Sequence, residues 1–213
     1  MTDRTETLWP TARALIGIQR RRRVVGIGLF VLVVVIATAA RLVPRWLLFG
    51  SENTGLAFLV DGLLSVAIFL ALFVVVLSLT YAVWNGGPGL SFLLPLVPLV
   101  VSWLVTRQLV MTVDVALALA AGTLAATLAT VSVAWHGEHP DRNEASRAIE
   151  AGIGIVAFGV ILTATVLWRV SGAIGPHARV GFYAAVSLYA IALVLAIGFL
   201  ALLGWHTTDD DAD

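Results

Sequence analysis

Cysteine and lysine are both absent from this chain. Without cysteine there can be no disulfide, no thiolate metal ligand and no cysteine nucleophile. Without lysine there is no amine for a Schiff base, which excludes a retinal protein of the usual kind. Charge is also scarce. Charged residues make up 12% of the chain, against about 25% in a soluble domain. The formal net charge is zero, so the chain offers no counterpart to a polyanion, and no nucleic acid is expected as partner. Polar stretches are short as well. The longest mostly polar interior segment runs from His136 to Glu150, which leaves no room for a separate soluble domain.

What the chain has is apolar sequence. Of its 213 residues, 60% are hydrophobic, and the mean hydropathy is +0.98. Six runs approach membrane length: Val24 to Ala40 continuing into Leu42 and Val43, Leu56 to Trp84, Leu90 to Val105, Val113 to Trp135, Ala148 to Val170, and Val180 to Trp205. About 20 helical residues cross a hydrocarbon core at ~1.5 Å each. The third run is short and needs Val110 or Met111 to finish crossing. In lipid the backbone must satisfy its own hydrogen bonds, so runs of this length form helices. The expected fold is all-α, a polytopic six-transmembrane-helix bundle with both termini cytoplasmic. Its spans are expected at about 24–43, 56–84, 90–110, 113–135, 148–170 and 180–205. Residues 1–23 form a leader, either an interfacial helix or a disordered arm. Residues 206–213 form an acidic cytoplasmic tail.

Orientation follows from Arg20, Arg21, Arg22 and Arg23, which precede the first run. A basic block beside the first helix keeps that end in the cytoplasm. The same block, the apolar core and Ala37-Thr38-Ala39 also spell a signal peptide, and Arg21-Arg22-Arg23-Val24-Val25 has the look of a twin-arginine signal. The length of the leader and the spans that follow directly favour a retained anchor. Trp46, Trp84, Trp103, Trp135, Trp168 and Trp205 fall one per expected helix, each close to its C-terminal end. On six crossings they alternate between the two interfaces, as an aromatic belt requires. Arginine as the sole strong base, the Ala/Val richness and the tail Asp209-Asp210-Asp211-Ala212-Asp213 suit a high-GC genome, a halophilic archaeon first and an actinobacterium second. Val60-Asp61 with Trp84-Asn85-Gly86, and Val113-Asp114 with Trp135-His136-Gly137, hint at a hairpin repeat, although caps and belt residues give the same pattern.

Four features invite a functional reading, and each has a plainer one. Asp61, Arg107, Asp114 and Arg169 should gather at the outer ends of spans. Charges there mark ion paths or pair with one another. Yet each aspartate also suits a helix start and each arginine a helix end. Pro95 and Pro98 remove two backbone donors within one turn of the third span. The carbonyls released could line a permeation path as in broken transporter helices, or simply accompany a kink. His136, Glu138, His139 and Asp141 could ligate a divalent metal, but their spacing fits no named site. A solvated loop, with Asp141 or Asn143 starting the next helix, explains them as well. Small residues in spans four to six (Ala118, Gly122, Ala125, Ala126, Ala129, Gly152, Gly154, Gly159, Ala192, Ala196) allow close helix approach. They predict inner seams, or a face for a second copy or another membrane protein.

No Gly-x-Ser-Gly, no embedded zinc pair and no Asp-rich transfer motif is present, and nothing calls for a cofactor. The expected function is a non-enzymatic accessory or scaffolding membrane component. The alternative is a small transporter or channel built on the outer charges and the proline-bearing third span.

Overall fold

The computed structural model describes residues 12–48, 72–106, 112–136 and 142–209. All of its regular elements are helical. After a short helical turn at residues 12–16, α1 spans Arg20–Leu48 and α2 spans Leu72–Val83. The third helix is broken into α3a (Pro88–Leu93), a 3-10 turn (Leu94–Leu96) and α3b (Val97–Thr106). Then come α4 (Thr112–Trp135), α5 (Arg142–Ser171) and α6 (Arg179–Asp209). Five of these stretches are long and apolar enough to cross a membrane, and α2 is a shorter apolar helix.

Contacts at the helix ends fix the direction of each helix. The start of α1, the end of α2 and the start of α3a meet, because Arg22 reaches the carbonyl of Asn85 and Gly17 bridges to Gly86. The end of α4 joins them, since Ser132 Oγ donates to the carbonyl of Val83 at 2.9 Å. The start of α5 is there too, through an Arg23–Glu144 ion pair at 3.6 Å. This is the near end. At the far end, Gly181 at the start of α6 faces Val113 at the start of α4. Helices consecutive in the chain thus alternate in direction.

The centre is α4. Fifteen of its residues are buried, most of them alanine, glycine or threonine. These small side chains let α3a, α5 and α6 come close. The seam with α5 has a seven-residue repeat on each side. A Cβ on Gly152 would lie 2.2 Å from Thr130 Oγ1, and one on Gly159 would lie 2.5 Å from Thr123 Oγ1. Threonine at each point presses into the gap left by glycine. The threonine hydroxyls do not need partners across the seam. Thr123, Thr127 and Thr130 bond back to the carbonyls of Leu119, Thr123 and Ala126 at 2.7 to 2.8 Å. Of the small residues expected to form seams, Gly154 is the exception: it is exposed on α5 with nothing near it.

α1 packs on α3b through Val33, Leu94, Val97 and Val101 and leaves most of its surface open. Trp84, Trp103, Trp135 and Trp168 are all exposed at helix ends, the first and third at the near end.

Candidate functional site

The densest polar construction lies at the near end, where the leader meets the α2–α3 turn. α2 stops at Trp84-Asn85-Gly86-Gly87. Asn85 adopts φ 65°, a left-handed conformation that asparagine tolerates and that ends a helix sharply. Pro88 then opens α3a, where its missing N–H is no loss. The two glycines are required by what approaches them. A Cβ on Gly87 would lie 2.1 Å from the carbonyl oxygen of Leu15, and one on Gly86 would strike the ring and carbonyl of Tyr81 at 2.5 to 2.6 Å.

The approaching segment is the leader. Gly87 N–H donates to the carbonyl of Ile16 at 3.0 Å, and Gly17 pairs with Gly86 as a single antiparallel bridge. Tyr81, 2% exposed, stands beneath. Its hydroxyl donates to the carbonyl of Ile16, with the carbonyl of Arg22 3.2 Å away. Gly17, Gly26 and Gly86 make room for its ring and hydroxyl. Ala14 and Ile18 sink into a pocket with Val133 of α4 and Ala145 and Ala148 of α5. The described part of the leader therefore sits on the bundle, with its two apolar anchors covered by helices.

The arginine block divides in two. Arg22 stacks over Trp84 at 5.8 Å from the ring centre and donates to the carbonyl of Asn85 at 3.4 Å. Arg23 donates to the carbonyl of Ile18 at 3.3 Å and pairs with Glu144. Arg20 and Arg21 are exposed. Two of the four residues read as an orientation signal thus also hold the leader down.

Of the outer charges, Asp61 and Arg107 lie outside the described residues. Asp114 and Arg169 are both exposed at the far end. The positive charge that acts on Asp114 is Arg41 of α1, a residue outside the expected quartet.

Pro95 and Pro98 do break a helix, at the 3-10 turn Leu94–Leu96. The carbonyls they release are both occupied. Pro95 cannot donate to Ser91, and Ser78 Oγ of α2 takes that place at 2.7 Å. Pro98 cannot donate to Leu94, and the Val97 N–H takes that place. The break also lets α4 approach: a Cβ on Gly122 would lie 2.6 Å from the carbonyl oxygen of Phe92.

Of the four loop residues considered for metal, Glu138, His139 and Asp141 lie outside the described residues. His136 Nδ1 donates to the carbonyl of Ser132 at 2.8 Å. Among the described residues no group of three or more acidic or histidine side chains is placed to hold a metal.

One cavity of about 200 Å³ opens between α5 and α6 over α4, lined by Thr127, Thr130, Val156, Leu193 and Phe199 among others. Its threonine hydroxyls are turned into their own helix, so the walls are almost wholly apolar. Such a space suits hydrocarbon and has nothing to coordinate an ion.

The fold and this site define a class: a helical bundle with a lipid-compatible surface and a cap of polar contacts at one end. Comparison of the chain with protein-family models, curated proteins and solved structures finds no match.

Proposed function

We propose that the chain is a six-pass membrane protein with both termini in the cytoplasm, acting as a non-enzymatic accessory or scaffolding component. The sixth crossing is the segment that contains α2. α1 and α3a both start at the near end, so the chain between them must return from the far end, and α2 finishes that return. The near end carries Arg20 to Arg23, Arg142 and Arg147, which favours the cytoplasmic side. Exposed tryptophans at both ends mark the two interfaces.

The scaffolding reading is carried by one observation: both carbonyls released by Pro95 and Pro98 are satisfied within the chain. A transporter's broken helix leaves such groups for its substrate. α4 is enclosed, so a second copy or another membrane protein would meet the outer faces of α5 and α6. The bilayer itself covers the rest.

Reconstituted vesicles provide the test. Proteoliposomes should pass ions and small solutes no faster than protein-free vesicles. Flux above that background, lost with Asp61→Asn or Asp114→Asn, would establish the transporter reading instead.

A further inference from the structure

We propose that residues 12–19 form a strap that opens and recloses over the near end while the helices beneath stay folded. Its opening does not depend on the number of membrane crossings.

Only two side chains of the strap are fully buried. These are Ala14 and Ile18, while Leu15 and Ile16 are half-buried against Gly89 and the Tyr81 cluster, and the strap's backbone is tied to the bundle by Gly87 N–H, the Gly17–Gly86 bridge and the Tyr81 hydroxyl. Ala12 and Gln19 are exposed. A segment with few buried contacts opens at a much lower free energy than the core it covers. The helices below do not depend on it. α4 and α5 have their own seam at Gly152–Thr130 and Gly159–Thr123, and α3a has its own contact with α4 at Gly122.

The latch is Arg23. Its guanidinium holds the strap at the carbonyl of Ile18 and holds α5 at Glu144, so one side chain ties the leader to a helix over 100 residues away. Both partners of the ion pair are 22% exposed, within reach of salt and of competing anions. Opening uncovers Val133, Ala145 and Ala148 together with the glycine turn: an apolar seat beside a backbone donor, fit for an extended segment.

The absence of cysteine makes the test clean. Single cysteines at Ala14, Ile18 and the exposed Ala12 are introduced in the full chain in detergent, and maleimide labelling rates are compared. Ala14→Cys and Ile18→Cys should label more slowly than Ala12→Cys. Glu144→Gln should speed both by about 2- to 5-fold, the range of an exposed ion pair. Arg23→Glu with Glu144→Arg restores the ion pair but not the bond to the Ile18 carbonyl, so it should slow both rates only part of the way back. Gly87→Ala, which sets a methyl against the Leu15 carbonyl, should bring both rates to that of Ala12→Cys with helix content unchanged. Two cysteine positions guard against one reporter disturbing the seat. The proposal is overturned if Ala14→Cys and Ile18→Cys label as fast as Ala12→Cys at the outset. It is equally overturned if Gly87→Ala changes neither rate, or if Gly87→Ala unfolds the helices along with the strap.

Discussion

Glycine in this bundle is used in two ways that a single substitution separates. At Gly122 the missing side chain admits a backbone carbonyl of the broken helix. Backbone moves only if a helix moves, so Gly122→Ala overpacks a fixed contact and is expected to cost about 1–3 kcal/mol. At Gly159 the neighbours are side chains, the Thr123 hydroxyl and the edge of the Phe92 ring, and the hydroxyl can rotate at the loss of its bond to the Leu119 carbonyl. A smaller cost is expected there, about 1 kcal/mol. At Gly154 and Gly198 nothing lies within 4 Å, and alanine's better helix propensity should leave these changes neutral or favourable by under about 1 kcal/mol. Unfolding midpoints in graded denaturing detergent would rank the variants. A Gly154→Ala loss equal to that of Gly122→Ala would mean that some other body packs on that face of α5.

At the scale of elements, the broken third helix has a cross-helix support that can be weighed. Ser78 on α2 takes over the acceptor that Pro95 leaves without an N–H. Ser78→Ala removes that donor from a buried carbonyl and should cost about 1–3 kcal/mol. Pro95→Ala returns a backbone N–H to the same carbonyl. In that background Ser78→Ala should cost under about 0.5 kcal/mol. A double-mutant cycle by denaturant midpoint checks this, and equal costs in both backgrounds would mean that Ser78 acts by packing alone. The break itself was legible, because proline's missing donor is a property of the residue. The identity of the donor that replaces it was not. Ser78 is 13 positions from Ser91, and only the packing of α2 on α3a brings them together. The same holds for the α4–α5 seam. Gly152 and Gly159 are spaced as Thr123 and Thr130 are, a repeat visible in the sequence, yet their pairing depends on antiparallel register.

For the whole molecule, the hydropathy runs anticipated five long apolar helices, since lipid-length apolar segments have few alternatives. They carry no signal for how residues 12–19 sit on the bundle. Ala14 and Ile18 are two small anchors in a mixed segment, and their burial goes with Gly17, Gly26 and Gly86 closing around Tyr81 and Gly87 meeting Leu15, an arrangement assembled from distant parts of the chain. That arrangement also changes what the arginine block should do when altered. Were all four arginines only a topology signal, any one would be exchangeable for another. Because Arg22 and Arg23 are bonded to the near end while Arg20 and Arg21 are exposed, the two pairs should fail differently. Arg20→Gln with Arg21→Gln should leave the denaturant midpoint within about 0.5 kcal/mol of the parent. Arg22→Gln should lower it by about 0.5–1 kcal/mol through the lost stacking on Trp84. Orientation is read separately, with Ala173→Cys placed in the far-end connection and labelled by an impermeant maleimide on intact cells. In the parent it should label from outside, whereas neutralising all four arginines should give a mixed population. If Ala173→Cys in the otherwise unaltered chain labels only after the membrane is opened, the bundle faces the other way. The near end with its strap would then lie outside the cell.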